Sequence, residues 1–247
     1  MFRFGRMKVT KRQFAELTAQ AEAGDVESQI KIANNYRLGL GVSEDNPKAI
    51  HWYKRAIEQG SVDALFDSKD YFIENLNYEA VEYYRQLAGK NNSEAQIILA
   101  SLYSEGRCIP KNDTEAFCLR LRAAKLNNGE GCYLVGAALV SGDSIKKDIE
   151  EGIKWLVKIA SPNSAISYFD IGSAQLSLSE AYADPGYSKR DLVEAYKWLN
   201  LLIANCSNED FRDELDEKRD ALASSMTREQ IEDAQRRSAD LFVPRKN

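Results

Sequence analysis

The feature that most limits what this chain can fold into is that it repeats itself. Ser28-Gln29, Ile32-Ala33, Tyr36, Asp45, Ala49 and Trp52-Tyr53 form one set of anchors, closed by Gln59-Gly60. The set returns as Ala64, Phe72, Ala80 and Tyr83-Tyr84, and as Ala95-Gln96, Leu99-Ala100, Tyr103, Gly106 and Ala116. It returns again as Val135-Gly136, Gly142, Gly152 and Trp155, and as Ala174-Gln175, Leu178-Ser179, Tyr182, Asp191, Ala195 and Trp198. Ser28 to Ala64 spans 36 residues, and Ala95 to Gly131 spans 36 again. A period of about 20 to 50 residues marks units that bury their apolar faces only by stacking on one another. Changes of spacing fall in connections: Phe72 to Ala80 is 8 where Tyr36 to Ala49 is 13, and Gly131 to Ala174 is 43, a gain of seven.

Each unit reads as two helices. Ile32, Ala33 and Tyr36 share one face of a first helix over Val26 to Leu38,. A glycine-containing loop stops it, because glycine reaches the left-handed conformation cheaply. The second helix starts at Asn46-Pro47, read as a cap residue followed by a proline that needs no N–H there,. Small residues (Ala33, Ala49, Ala56) alternate with large ones (Tyr36, Trp52, Tyr53), so that helices approach closely and aromatic rings interdigitate,. The expectation is an all-α chain, a right-handed α/α superhelix of about five units. These run over 24–60, 61–91, 92–128, 129–163 and 171–205, with an arm and capping helix at 1–23 and polar closing helices over 206–247. Thr10 to Gln13 and Thr227 to Gln230 each read as a capping box that opens a terminal helix,.

The first unit carries Ile32, Ala33, Tyr36, Gly39, Gly41, Val42, Asp45, Lys48, Ala49, Trp52, Tyr53 and Ala56. In this it resembles the Sel-1-like repeat family, relatives of the tetratricopeptide repeats, and the resemblance extends over residues 20 to 205. Later units depart from the pattern. Cys108 stands where Gly41 would be, Leu119 and Arg120 replace the Trp-Tyr pair, and Leu139 replaces the tyrosine. The resemblance implies a scaffold that binds other proteins, as a bacterial cytoplasmic adaptor in signalling, secretion or envelope-related pathways. AAKLNNGEGC, residues 123 to 132, is similar to a secreted branch in which cysteines eight apart form a bridge. Ala124 occupies the partner position of Cys132, so that bridge cannot form here.

Composition narrows the partners. The 38 acidic residues outnumber the 33 basic ones for a formal charge of −5, and no cationic cluster is dense enough to follow a nucleic-acid backbone,. The basic MFRFGRMKVTKRQ start lacks the apolar run of a secretory signal, and no segment reaches the length of a membrane span, so a cytoplasmic location without membrane insertion is expected,. Four cysteines at spacings of 10, 14 and 74 give neither a C-x-x-C pair nor a zinc-ligand pattern,. Gly39-Leu40-Gly41 lies between two helices and lacks the third glycine of a dinucleotide-binding turn,. His51 is the only histidine and reads as a solvated surface residue; no pair of carboxylates stands out as acid and base,. No cofactor, metal or catalytic residue is assigned.

Candidate contact residues follow from counting along the first helices, which line the concave face of such arrays. One series, Ile30, Phe66, Ile97, Tyr133 and Leu176, is apolar or aromatic throughout. Another, Glu27, Asp63, Glu94, Glu130 and Ser173, is acidic in four of five units. Together they suit a basic or amphipathic protein or peptide. The carboxylates equally suit a helix N-terminus, and the apolar series equally suits half-buried packing. Ser161 to Gly172 reads as an inserted loop whose Tyr168 and Phe169 either plug a gap or anchor a partner,. An immunity or chaperone-like protein that sequesters one toxin or effector is the alternative. A small enzyme or ligand-binding domain is the rival of another class.

Overall fold

A computed structural model describes residues 10–76, 78–143, 145–160 and 168–241. Among the described residues there are thirteen α-helices and no strand. Two bodies form by contact. The first, residues up to Leu102 with Gly106–Pro110, holds α1 (Lys11–Glu22), α2 (Val26–Leu38), α3 (Asn46–Glu58), α4 (Val62–Leu76), α5 (Tyr78–Gly89) and most of α6 (Ser93–Glu105). The second holds the last turn of α6 with α7 (Asp113–Lys125), α8 (Gly129–Ser141), α9 (Ile149–Ala160), α10 (Tyr168–Ala183), α11 (Leu192–Asn205), α12 (Glu209–Ala223) and α13 (Arg228–Leu241).

The hairpin turn closes on the same backbone bond four times, three of them after a left-handed glycine. A glycine in the left-handed region ends the first helix at Gly39, Gly106 and Gly142, with φ of 64, 69 and 78°. The N–H of the residue that caps the next helix then donates to the carbonyl at the tyrosine anchor: Asp45 to Tyr36 at 3.1 Å, Asn112 to Tyr103 at 2.9 Å and Asp191 to Tyr182 at 3.0 Å. Asp148 donates to Leu139 at 2.9 Å in the same manner. Because the bond uses only the backbone, losing the tyrosine at 139 leaves the turn intact. The cap of α3 is Asp45, one residue earlier than the sequence reading placed it, and Pro47 falls within the first turn.

Junctions between units follow a second rule. Gly24, Gly60, Asn91 and Asn127 all have positive φ, and each directly precedes the residue whose side chain caps the next helix, Asp25, Ser61, Asn92 or Asn128. Glycine and asparagine tolerate that conformation best among the residues. The buried glutamine of the repeat then ties the units together. Gln29 Nε2 donates to the Ala21 carbonyl at 3.0 Å, Gln96 to Ala88 at 3.1 Å and Gln175 to Ala160 at 3.1 Å. Each adds a bond to a carbonyl near the C-terminus of the preceding helix; those of Ala21 and Ala88 also accept from the Gly24 and Asn91 N–H at 3.1 and 3.2 Å,. Cys132 takes this place in α8, with Sγ 3.6 Å from the Ala124 carbonyl.

Packing in the first body centres on rings: Tyr53, Phe72 and Tyr84 are fully buried, and Tyr53 meets Phe72 edge-on at 6.0 Å. In the second body α8 and α9 meet through glycines. A Cβ on Gly152 would lie 2.8 Å from the Gly136 carbonyl oxygen, and one on Gly136 would lie 2.6 Å from Leu156. Trp198 is buried in the same core, with Trp155 half-buried against it. Both terminal capping boxes form, Thr10 with Gln13 and Thr227 with Gln230. Arg237 of α13 reaches Glu194 of α11 at 3.0 Å and Asp233 at 2.8 Å.

Candidate partner-binding surface

In the first body the candidate contact residues have separate fates. Glu27 is exposed on α2 and pairs with Lys31 at 2.6 Å, while Ile30 is half-buried. Asp63 and Phe66 are both exposed on α4, Phe66 to 49%. On α6 Glu94 is half-buried and Ile97 is 3% exposed. Ile97 therefore belongs to the core and is corrected from a contact position. Residues 95–100 of α6 are all buried, so this stretch of the helix presents no side chain to a partner.

In the second body Glu130 is exposed on α8, Tyr133 is half-buried against the core, and on α10 Ser173 and Leu176 are half-buried. The inserted loop expected over Ser161 to Gly172 is corrected in part: α10 begins at Tyr168, so Tyr168 and Phe169 are helical backbone. Residues 161–167, and the side chains of Tyr168 and Phe169, lie outside the described residues. The helix starts six residues before Ala174, where α2, α6 and α8 start two residues before Ser28, Ala95 and Gly131. Part of the added length is an extra helical turn.

An open cavity of about 530 Å³ also lies in the second body. Phe117, Leu134, Ala138 and Val140 line it beneath a rim that includes Glu180 and Asp184. Lys147 bonds Asp184 at 2.6 Å and, with the Gly186 N–H, holds its carboxyl below the usual range. Arg120, which replaces the tyrosine of the repeat, donates to Ser104 Oγ at 3.2 Å, and its Nε is buried without a hydrogen-bonding partner among the described residues. Burial lowers the pKa of that guanidinium. These groups can bind or repel charge.

Elsewhere the chemistry is equally sparse. His51 is exposed and stacks edge-on with Trp52 at 5.4 Å. Trp52 and Trp198, at 8% and 6% exposure, are core and form no open stacking ladder. The four cysteines are free, and burial raises the Cys132 thiol. Among the described residues no group of three or more His, Cys, Asp or Glu is placed to hold a metal, and no helix is long and apolar enough to cross a membrane.

Hairpins of this construction can be compared with known families. A family model described as Sel1 repeat matches residues 26–61, 93–128, 129–161 and 172–204, more than half of the chain. The chain belongs to the Sel1-repeat family. The matched segments coincide with the hairpins α2–α3, α6–α7, α8–α9 and α10–α11, and α4–α5 lies between them. The crystal structure of a Sel1 repeat protein from Oxalobacter formigenes superposes with a TM-score of 0.58 at 26% identity, covering 80% of this chain and 81% of that one. The Sel1-repeat-containing protein YjcO of Escherichia coli K12 is 25% identical over 73% of this chain and 79% of its own length. The uncharacterized protein NMB1327 of Neisseria meningitidis is 26% identical over 60% of the chain, and the chitin synthase regulator SKT5 of Saccharomyces cerevisiae is 32% identical over 82%. This Sel1-repeat chain spans about a third of the length of those last two relatives. Sel1-repeat proteins are generally protein-interaction scaffolds and generally not enzymes.

Proposed function

We propose that this Sel1-repeat chain is a non-enzymatic scaffold that binds a protein or peptide on the exposed faces of its first helices. One observation carries the reading: the repeat anchors are spent inside the cores, whereas first-helix positions between them, Glu27, Asp63, Phe66 and Glu130, are open to solvent. The buried glutamines and tryptophans maintain the array, and the intervening exposed positions can vary to match a partner. SKT5 carries the name of a regulator, not of an enzyme, in keeping with action through another molecule. The four free cysteines and the buried Cys132 thiol favour a reducing compartment such as the cytoplasm,.

Affinity capture on the purified chain, followed by light scattering of the recovered complex, tests the reading. A protein recovered at a fixed stoichiometry supports it. Substoichiometric recovery only, together with turnover of a small molecule by the chain, overturns it.

A further inference from the structure

We infer that the exposed face of α4 docks a cationic segment bearing a bulky apolar side chain; this rests on the protein-binding reading above and names the partner's chemistry. Val62 and Phe66, one helical turn apart, are 43% and 49% exposed,. Phe66 occupies the position where Ile97 is buried and Ile30, Tyr133 and Leu176 are half-buried. At the same point in each unit, then, α4 alone presents a large ring to solvent.

The charges beside that ring say what covers it. Asp63, Asp67, Asp70 and Glu74 are all exposed, and their spacing places them in one stripe next to Val62 and Phe66,. With Lys69 as its one cation, α4 carries a formal charge of −3, against −5 for the whole chain. Asp70 faces Arg107 at 3.3 Å. Among the described residues, Asp63, Asp67 and Glu74 form no ion pair within 4 Å.

Helix chemistry does not account for this placement. A carboxylate in the first turn favours the dipole, which covers Asp63, but Glu74 lies toward the C-terminal end, where the same dipole disfavours it,. The pairs Asp63 with Asp67 and Asp70 with Glu74 are four residues apart, and Asp67 with Asp70 three apart, so like charges repel along the stripe. A cationic segment relieves that repulsion while its apolar side chain covers Phe66, which gives both the charge match and the dry centre that an interface requires. The hairpin α4–α5 lies outside the segments matched by the family model.

The probe is a fluorescein-labelled amphipathic peptide of lysine and leucine, titrated by anisotropy against the full chain. A combined Asp63→Asn, Asp67→Asn, Asp70→Asn variant is expected to raise Kd by about tenfold or more, since buried or rim charge pairs set both affinity and encounter rate. Phe66→Ser is expected to raise it about fivefold by removing the apolar anchor. A control of equal charge change on α12, Asp210→Asn, Asp213→Asn, Glu217→Gln, is expected to leave Kd within about twofold, because net charge alone acts weakly and at long range. Equal losses in the control and the α4 variant overturn the proposal as net-charge attraction, and an unchanged Kd for Phe66→Ser overturns it as well. A dimer of the wild-type chain in light scattering, lost in the α4 variant, overturns it in favour of a second copy as the occupant. Should the triple variant fail to fold, amide exchange on the wild type decides: peptide-dependent protection in α4 supports the proposal, and its absence there overturns it. If a captured protein partner binds the α4 variant as well as the wild type, the scaffold reading stands and this assignment falls.

Discussion

Two tyrosines in one core show how much a single hydroxyl depends on its surroundings. Tyr53 Oη donates to Asn34 Oδ1 at 2.7 Å, whereas the Tyr83 hydroxyl is buried with no hydrogen-bonding partner among the described residues, and burial pushes its pKa up to about 12. An unmatched buried hydroxyl costs about 1 to 3 kcal/mol. Tyr83→Phe is therefore expected to hold or raise stability in urea unfolding, while Tyr53→Phe loses about 1 kcal/mol; the reverse order would show that Tyr83 is satisfied. Gly152→Ala is expected to cost about 1 to 3 kcal/mol, because the new methyl meets the Gly136 carbonyl oxygen, which cannot turn away, at 2.8 Å and Val140 Cγ2 at 2.8 Å as well,. A cost near zero would mean that α8 and α9 slide apart freely.

Among elements, the helices themselves were largely legible from sequence, because caps and left-handed turns are local chemistry. Asp25, Asp45, Asn92, Asn112, Asn128 and Asp191 each accept from a backbone N–H two or three residues on. Position 97 was not legible: counting along the helix ranked Ile97 with Phe66, while its fate depended on neighbours that cover α6 on all sides. The start of α10 was missed because Pro162 and the Ser and Asn residues around it signal a turn without showing where the turn ends. The caps also set a pH dependence. Bonds to the Lys48 side chain and N–H hold the Asp45 carboxyl below its ordinary value, and bonds to Ser28 do the same for Asp25. A depressed carboxyl stabilises the fold at pH above its unfolded value near 4 and loses that contribution as pH falls through its lower folded value. The melting temperature is thus expected to fall on acidification from about pH 5, and less steeply in Asp45→Asn, which keeps a capping oxygen but cannot titrate. An equally steep fall in that variant would place the effect elsewhere. Trp198→Ala, in the core of the second body, is expected to cost about 3 to 5 kcal/mol,; a loss under about 1 kcal/mol would place the ring at the surface.

At the scale of the whole molecule, a repeat array separates two jobs that an enzyme would concentrate in one cleft. Gln29, Gln96 and Gln175 bond the units from inside, and a change in them acts on stability. Glu27, Asp63, Phe66 and Glu130 are open to solvent, and a change in them is free to act on binding. The first class was written in the sequence as a period. The second had no such signature, since residues that answer to a partner need not agree from unit to unit. The most direct measurement is hydrogen exchange on the chain with and without a captured partner. Partner-dependent protection concentrated in the first helices, α2 and α4 foremost, is the predicted result; protection confined to the second helices, or none at all, would contradict it.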